Sequence, residues 1–439
     1  MRKINTLKSY KSKSLNGIIN VPGDKSISHR SIIMGSLCHG LVKIFGILES
    51  TDVLNTIKTL RLLGVKITKK KTHFEVFGNG GKFKPSVRSL DFGNSGTGVR
   101  LMIGMLSSRN IDATFVGDKS LSKRPMSRIT NPLKKFGANL SDKNGFLPVK
   151  LKKSQSLTPN SVDIKIGSAQ IKSALILASL NLNGKSVINE LVPSRDHSEI
   201  LLKYLGASIE IKKKSNKNKI IISGPTILKA RDIYIPGDIS SAAFIIVATL
   251  LCDDSSVQIK SVGINFLRSG ILDVLRKMNG KIKILKQWII NGEKIADIEV
   301  MSSELQGCIV DSKISTRLID EYPILFVAAS FANGCSTFTN LEELKFKESD
   351  RLKVMAEALK SCGVKLELSE NSIKIFGERK NKGGIKVNTH NDHRIAMSML
   401  VFGLISDKPI QVDQIKMIET SFPGFYELFK KIGSKIKYV

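Results

Sequence analysis

At 439 residues the chain is long for one ordinary core and suits two domains of roughly 200 residues each. A hydrophobic fraction of 41% with 34 glycines excludes a disordered basic chain, and five scattered cysteines without a Cys-x-x-Cys pair or a His cluster exclude a disulfide scaffold or zinc motif. The 69 Lys and Arg against 38 Asp and Glu give +31, which attracts anions in general, but 6% aromatics are few for the stacking platforms of a single-strand nucleic-acid binder.

In chain order, Met1–Ser14 is basic and acid-poor but lacks the apolar face of a transit peptide, and is expected to be a short ragged end before a strand at Gly17–Val21. No apolar run reaches the roughly 20 residues that cross a bilayer. Six compact apolar helices are then expected, each opening with a polar or charged turn: Lys25 to Arg30, Asn94 to Arg100, Ser168 to Lys172, Asp238 to Ser241, Asp320 to Tyr322, and His390 to Arg394. The small and aliphatic residues behind the openings, as in Ile171–Leu182 and Ala242–Cys252, suit helices buried on all sides. Such helices leave only their ends for chemistry, and orphan amides with a positive dipole end attract phosphate or carboxylate.

Amphipathic helices alternate with the buried ones and end at Gly64, Gly137, Gly206, Gly280, Gly363 and Gly433, where glycine is expected to supply the left-handed cap. Thr51–Leu63 and Ser349–Ser361 carry the apolar spacing of such helices. Between the helices lie β-like runs such as Lys43–Ile47, Ile164–Ile166, Lys219–Ser223 and Ile385–Val387. The pattern is a unit of strand, buried helix, strand, surface helix and two strands, roughly 70 to 80 residues long and repeated six times, three units to a domain. Val21-Pro22-Gly23-Asp24 and Ile235-Pro236-Gly237-Asp238 have nearly the same residues and read as two crossings between domains. They divide an α/β chain into 22–237 and a discontinuous domain of 1–21 with 238–439.

Lys25, Ser26, Ser28 and Arg30 at a helix start combine cations with hydroxyls, the donors a phosphate requires. Gly93-Asn94-Ser95-Gly96-Thr97-Gly98 adds glycines that allow close backbone approach, without the Lys of a Walker loop. Arg124 and Arg128 flank Pro125-Met126, Arg195 precedes Asp196-His197-Ser198, and Lys347, Glu348, Asp350 and Arg351 open a surface helix. Asp320 and Glu321 are acidic among basic openings, and Asp320 is either a helix cap or an ionised carboxylate able to take a proton from a hydroxyl. His29 and His393 carry no metal spacing and are given no role.

The blocks from Pro22 to Arg30 and from Gly93 to Thr97 resemble the 5-enolpyruvylshikimate-3-phosphate synthase family. So do Lys123-Arg124-Pro125-Met126, Ser168-Ala169-Gln170, Asp320-Glu321-Tyr322-Pro323, Lys347 to Arg351 and Asp392-His393-Arg394, in order along nearly the whole chain. The resemblance implies two similar α/β domains, each of three pseudo-repeats, with the active site in the cleft between them. It also implies transfer of the enolpyruvyl group of phosphoenolpyruvate to the 5-hydroxyl of shikimate 3-phosphate, through a tetrahedral ketal and with release of phosphate, on the route to chorismate and the aromatic amino acids. By the same resemblance Lys25, Ser26, Arg30, Ser168, Ala169, Gln170, Arg195, Asp320 and Lys347 contact shikimate 3-phosphate. Lys25, Gly96, Arg124, Gln170, Arg351 and Arg394 contact phosphoenolpyruvate. Asp320 assists deprotonation of the hydroxyl, while Glu348 and Lys25 exchange protons with the enol methylene and the leaving phosphate. No metal or organic cofactor is implied, and the family suggests a cytoplasmic monomer.

Thr420, before Ser421-Phe422-Pro423, stands where many members have Lys. Glyphosate sensitivity is expected, because Gly96 occupies the position at which tolerant relatives carry Ala. The rival UDP-N-acetylglucosamine enolpyruvyl transferase carries a reactive Cys in a mobile loop, and Gly117–Met126 has none. A rival of another class is a basic nucleic-acid-binding protein, which the charge alone motivates.

Overall fold

The computed structural model describes residues 6–86, 88–154, 157–214 and 217–439. The six apolar stretches form helices at Lys25–Leu37, Gly96–Ser107, Ala169–Ser179, Ile239–Leu251, Tyr322–Ser330 and His393–Gly403, and from Ile27 and Ile239 onward almost every residue of the first and fourth is buried. Polar side chains close the openings. Asp24, Ser95, Ser168, Asp238 and Asp392 each accept a hydrogen bond from an amide of the turn they precede. The fifth helix is the exception: Glu321 stands at its cap position without such a bond, and Asp320 is therefore not a capping residue.

Parallel strand pairs flank these helices because a parallel connection needs a long crossover, which the helix supplies. Ser161–Ile164 runs parallel to Gly184–Glu190 across the third helix, and Lys217–Gly224 and Ile209–Lys214 extend that sheet antiparallel. The same order recurs in the sheet of Leu90–Asp91, Ala113–Val116, Phe146–Lys152 and Asn139–Lys143. It recurs again in Ile309–Val310, Gly334–Phe338, Ile373–Gly377 and Lys365–Leu368.

The other three sheets are completed by strands distant in sequence. Asn16–Asn20 pairs parallel with Ser256–Gly263, while Leu228–Lys229 and Ile233–Tyr234 pair parallel with Cys38–Phe45. Leu7–Tyr10 lies antiparallel between Ile410–Val412 and Lys435–Tyr438. The ragged end expected for Met1–Ser14 is thus corrected: Leu7 and Ser9 are buried within a sheet, and of that stretch only Met1–Asn5 fall outside the described residues. Four residues are too short a run for alternation to announce a strand whose partners lie near the other end of the chain.

Two compact units result. One comprises the segment ending at Pro22 with Pro236–Trp288 and Lys294–Val439; the other comprises Gly23–Ile235 with Ile289–Glu293, a short stretch that the sequence had left inside 238–439. Each unit has its own apolar core; in the first the three buried helices pack on one another, and in the second the helix at Gly96–Ser107 packs on the other two. In the second unit that packing needs Gly104, where a Cβ would stand 2.3 Å from the Ala174 carbonyl oxygen. Five surface helices end at glycines with φ between 86° and 98°, at 64, 137, 206, 363 and 433. At the remaining one Asn279 takes the left-handed position (φ 69°), correcting the expectation placed on Gly280.

Candidate functional site

In the second unit, the first helix carries Lys25, Ser26 and Arg30 on its opening turns. Lys25 Nζ lies 2.5 Å from Asp52 Oδ2, both largely shielded. Arg30 is 2% exposed, and its guanidinium is fixed at all three nitrogens: Nε donates to Ser198 Oγ at 2.8 Å, Nη2 to Ser173 Oγ at 2.8 Å and Nη1 to the Ser26 carbonyl at 2.9 Å. Burial pushes its pKa down to about 10, against the opposing pull of Glu199 and Asp24. His29 is buried between Thr56 Oγ1 (2.9 Å) and Ser95 Oγ (3.4 Å), and desolvation with the neighbouring Lys25 and Arg30 charges holds its pKa well below the usual value.

Three further segments of this unit meet at Gly96. Arg100 Nη1 donates to Gln170 Oε1 at 3.0 Å and to the Gly96 carbonyl at 3.3 Å, while Nη2 donates to the Pro125 carbonyl at 3.2 Å. Gln170 is held from its other end by Thr97 Oγ1 at 3.1 Å. Arg124 donates to Asn94 Oδ1 and to Ser120 Oγ. A Cβ at Gly96 would lie 2.8 Å from Arg100 Nη1 and 3.2 Å from Arg124 Nη1, so the missing side chain is what lets two guanidinium groups close over the helix start. Ser168 caps the third helix through the Ile171 amide, Ala169 begins that helix, and half-buried Arg195 follows Ser194.

The first unit gathers the acidic candidates around one sealed cation. Arg351, 1% exposed, places Nε 2.9 Å from Asp392 Oδ2 and Nη1 3.5 Å from Asp320 Oδ1, and its Nη2 donates to Glu348. Burial alone would weaken its hold on the proton, but the Asp392, Glu348 and Asp320 charges reverse this and raise its pKa. Asp320, Glu348 and Lys347 remain partly open, and Lys347 Nζ approaches Asp320 to 4.0 Å. Arg394 is 8% exposed, and its Nη1 stands 3.7 Å from Glu321 Oε1, too far for a hydrogen bond. Burial lowers its pKa, with Asp320 and Glu321 opposing and Arg351 and Arg268 adding to the effect. A buried guanidinium with an unused donor is prepared for an anion.

The family model described as EPSP synthase (3-phosphoshikimate 1-carboxyvinyltransferase) matches residues 9–429. The chain belongs to the EPSP synthase family. It is 45% identical to the 3-phosphoshikimate 1-carboxyvinyltransferase of Bartonella henselae over 441 residues, covering 99% of this chain and 100% of that protein. The solved EPSP synthase of Acinetobacter baumannii superposes with a TM-score of 0.87 at 37% identity, covering 99% of each chain. The enolpyruvyl transferase NikO of Streptomyces tendae, 16% identical with 99% of each chain covered and a TM-score of 0.79, shares the fold.

Within this EPSP synthase family member the fourth helix opening, Asp238 to Ser241, joins an ion-pair network. Asp238 Oδ1 lies 3.7 Å from Arg268 Nη2, Arg268 Nη1 lies 2.8 Å from Glu321 Oε1, and Ser240 donates to Glu321. Sequence reasoning missed Arg268, which lies outside the six buried-helix openings, and Asp52, which reaches Lys25 from another helix. Arg100 and Ser198 were within quoted motifs, and the spacing of Arg100 four residues after Gly96, one helical turn, was the available signal. Thr420 donates to the Met417 carbonyl and closes its own turn. Lys69–Lys71, Lys212–Lys214 and Lys430–Lys431 are exposed, and no helix among the described residues is long and apolar enough to cross a membrane.

Proposed function

We propose that the protein transfers the enolpyruvyl group of phosphoenolpyruvate to the 5-hydroxyl of shikimate 3-phosphate, releasing phosphate, and does so as a cytoplasmic monomer in aromatic amino acid biosynthesis. The observation that carries this is the EPSP synthase family match over 9–429. Lys25, Ser26, Arg30, Ser168, Ala169, Gln170, Arg195, Asp320 and Lys347 bind shikimate 3-phosphate. Lys25, Gly96, Arg124, Gln170, Arg351 and Arg394 bind phosphoenolpyruvate.

Both substrates are anions, so the cations named above must offset their repulsion while the hydroxyl oxygen is held near the enol carbon. Asp320 accepts the hydroxyl proton as the carbon–oxygen bond forms, and Lys25, or Glu348 once it has taken up a proton, delivers one to the methylene carbon, giving the ketal. The group that delivered the proton then takes one back from the methyl carbon as phosphate departs, which restores the double bond. The three carboxylates on Arg351 give this sequence an order. An arriving carboxylate competes with Glu348 and Asp320 for the same guanidinium, and the acid it displaces becomes available for proton transfer.

Phosphate release from the two substrates, absent when either is omitted, is the expected result; no release by the parent protein defeats the proposal. Asp320→Asn should lower kcat by roughly 10²–10⁴-fold, whereas Arg124→Ala should act mainly on the KM for phosphoenolpyruvate.

A further inference from the structure

We propose that Lys172, which belongs to neither substrate-contact set, is a positioning residue for shikimate 3-phosphate. It rests on the substrate assignment above. Lys172 lies two residues beyond Gln170 on the third buried helix, and its side chain has no exposure to solvent. All three donors of its ammonium are used, on Glu190 Oε1 (2.9 Å), Glu199 Oε1 (2.9 Å) and the Ser194 carbonyl (3.0 Å).

Those acceptors lie on the segments that carry the shikimate 3-phosphate contacts. Glu190 Oε1 also accepts from the Ser194 amide at 2.9 Å and the Ser194 hydroxyl at 2.5 Å, which closes the turn immediately before Arg195. Glu199 sits beside Ser198, whose hydroxyl accepts from Arg30 Nε and lies 2.6 Å from Ser173 Oγ; Ser173 in turn accepts from Arg30 Nη2. One ammonium thus ties together the helix of Ser168–Gln170, the turn holding Arg195 and the hydroxyl pair that orients Arg30. The phosphoenolpyruvate contact Arg124 has other supports, Asn94 and Ser120. Burying a cation between two carboxylates is a poor way to gain stability alone, since desolvation offsets most of the attraction. The geometry is suited instead to fixing three segments in register.

The test is steady-state kinetics on Lys172→Met/Glu199→Gln, which removes the ammonium and one carboxylate charge together, and on Ser194→Ala, which removes a single hydroxyl. The double variant should raise the KM for shikimate 3-phosphate at least about tenfold and leave that for phosphoenolpyruvate within about threefold. Ser194→Ala should raise the former about threefold. Parallel rises in both KM values, or no change in the first, overturn the proposal, and where the double variant does not fold the Ser194→Ala result decides. Arg195→Ala separates the two levels of inference. If it leaves the KM for shikimate 3-phosphate unchanged, the substrate assignment itself fails; if it raises that KM and the Lys172 and Ser194 variants do not, only the positioning role fails.

Discussion

Gly96 shows how much a single residue controls. A methyl group there must displace the tip of Arg100, because 2.8 Å to Nη1 is closer than a carbon can stand, and the same nitrogen holds Gln170 Oε1. Gly96→Ala should therefore raise the glyphosate inhibition constant at least about tenfold and the KM for phosphoenolpyruvate a few-fold, with little change for shikimate 3-phosphate; equal inhibition constants for parent and variant would sink this account. His197 offers a second test. Burial lowers its pKa, but Glu293, whose Oε1 is 2.6 Å from Nδ1, outweighs burial and raises it overall, with Asp24 assisting and Arg30 opposing. A raised folded pKa stabilises fully below the unfolded value of about 6.5 and loses that contribution as pH rises through the folded value. His197→Gln should accordingly cost most stability below about pH 6.5 and less as pH is raised, measured by urea unfolding; a pH-independent cost contradicts it. The cations and acids proposed for substrate contact stand within short motifs, which is why the sequence alone offers them as candidates. Asp52, Arg268 and Glu293 were not, because each meets its partner only after distant segments fold together.

The six polar helix openings carry the same lesson at the scale of elements. Hydrophobic runs flanked by Asp or Ser were enough to place all six helices, since caps and burial act locally. The openings nevertheless differ in use: Asp392 both caps its helix through the Arg394 amide and receives Arg351, whereas Ser95 caps the second helix and also faces His29. Ser95→Ala should lower unfolding free energy by about 1 kcal/mol, read from chemical denaturation, and a neutral result would mean that the turn is held without its cap. What alternation could not reveal was which strands share a sheet. Leu228–Lys229 is only two residues long, and its pairing with Cys38–Phe45 follows from the sheet order set by the other repeats.

Across the whole molecule, the six-fold repeat was readable and its closure was not. Three sheets depend on strands borrowed from across the sequence, and the borrowing of Leu7–Tyr10 is the most demanding because it fills an interior position. Deleting residues 1–12 should remove hydrogen-exchange protection from Ile410–Val412 and Lys435–Tyr438 while the buried helices at Gly96–Ser107 and Ala169–Ser179 keep theirs. Undiminished protection in the first pair would show that the strand is dispensable. The same pairing sets a timetable for biosynthesis. Gly23–Ile235 is one continuous stretch whose core can begin to form during translation, whereas Leu7–Tyr10 is made long before Lys435–Tyr438 and must wait for it. During that interval its backbone is an unpaired edge, and the basic, acid-poor residues around it help keep it from pairing with another nascent chain.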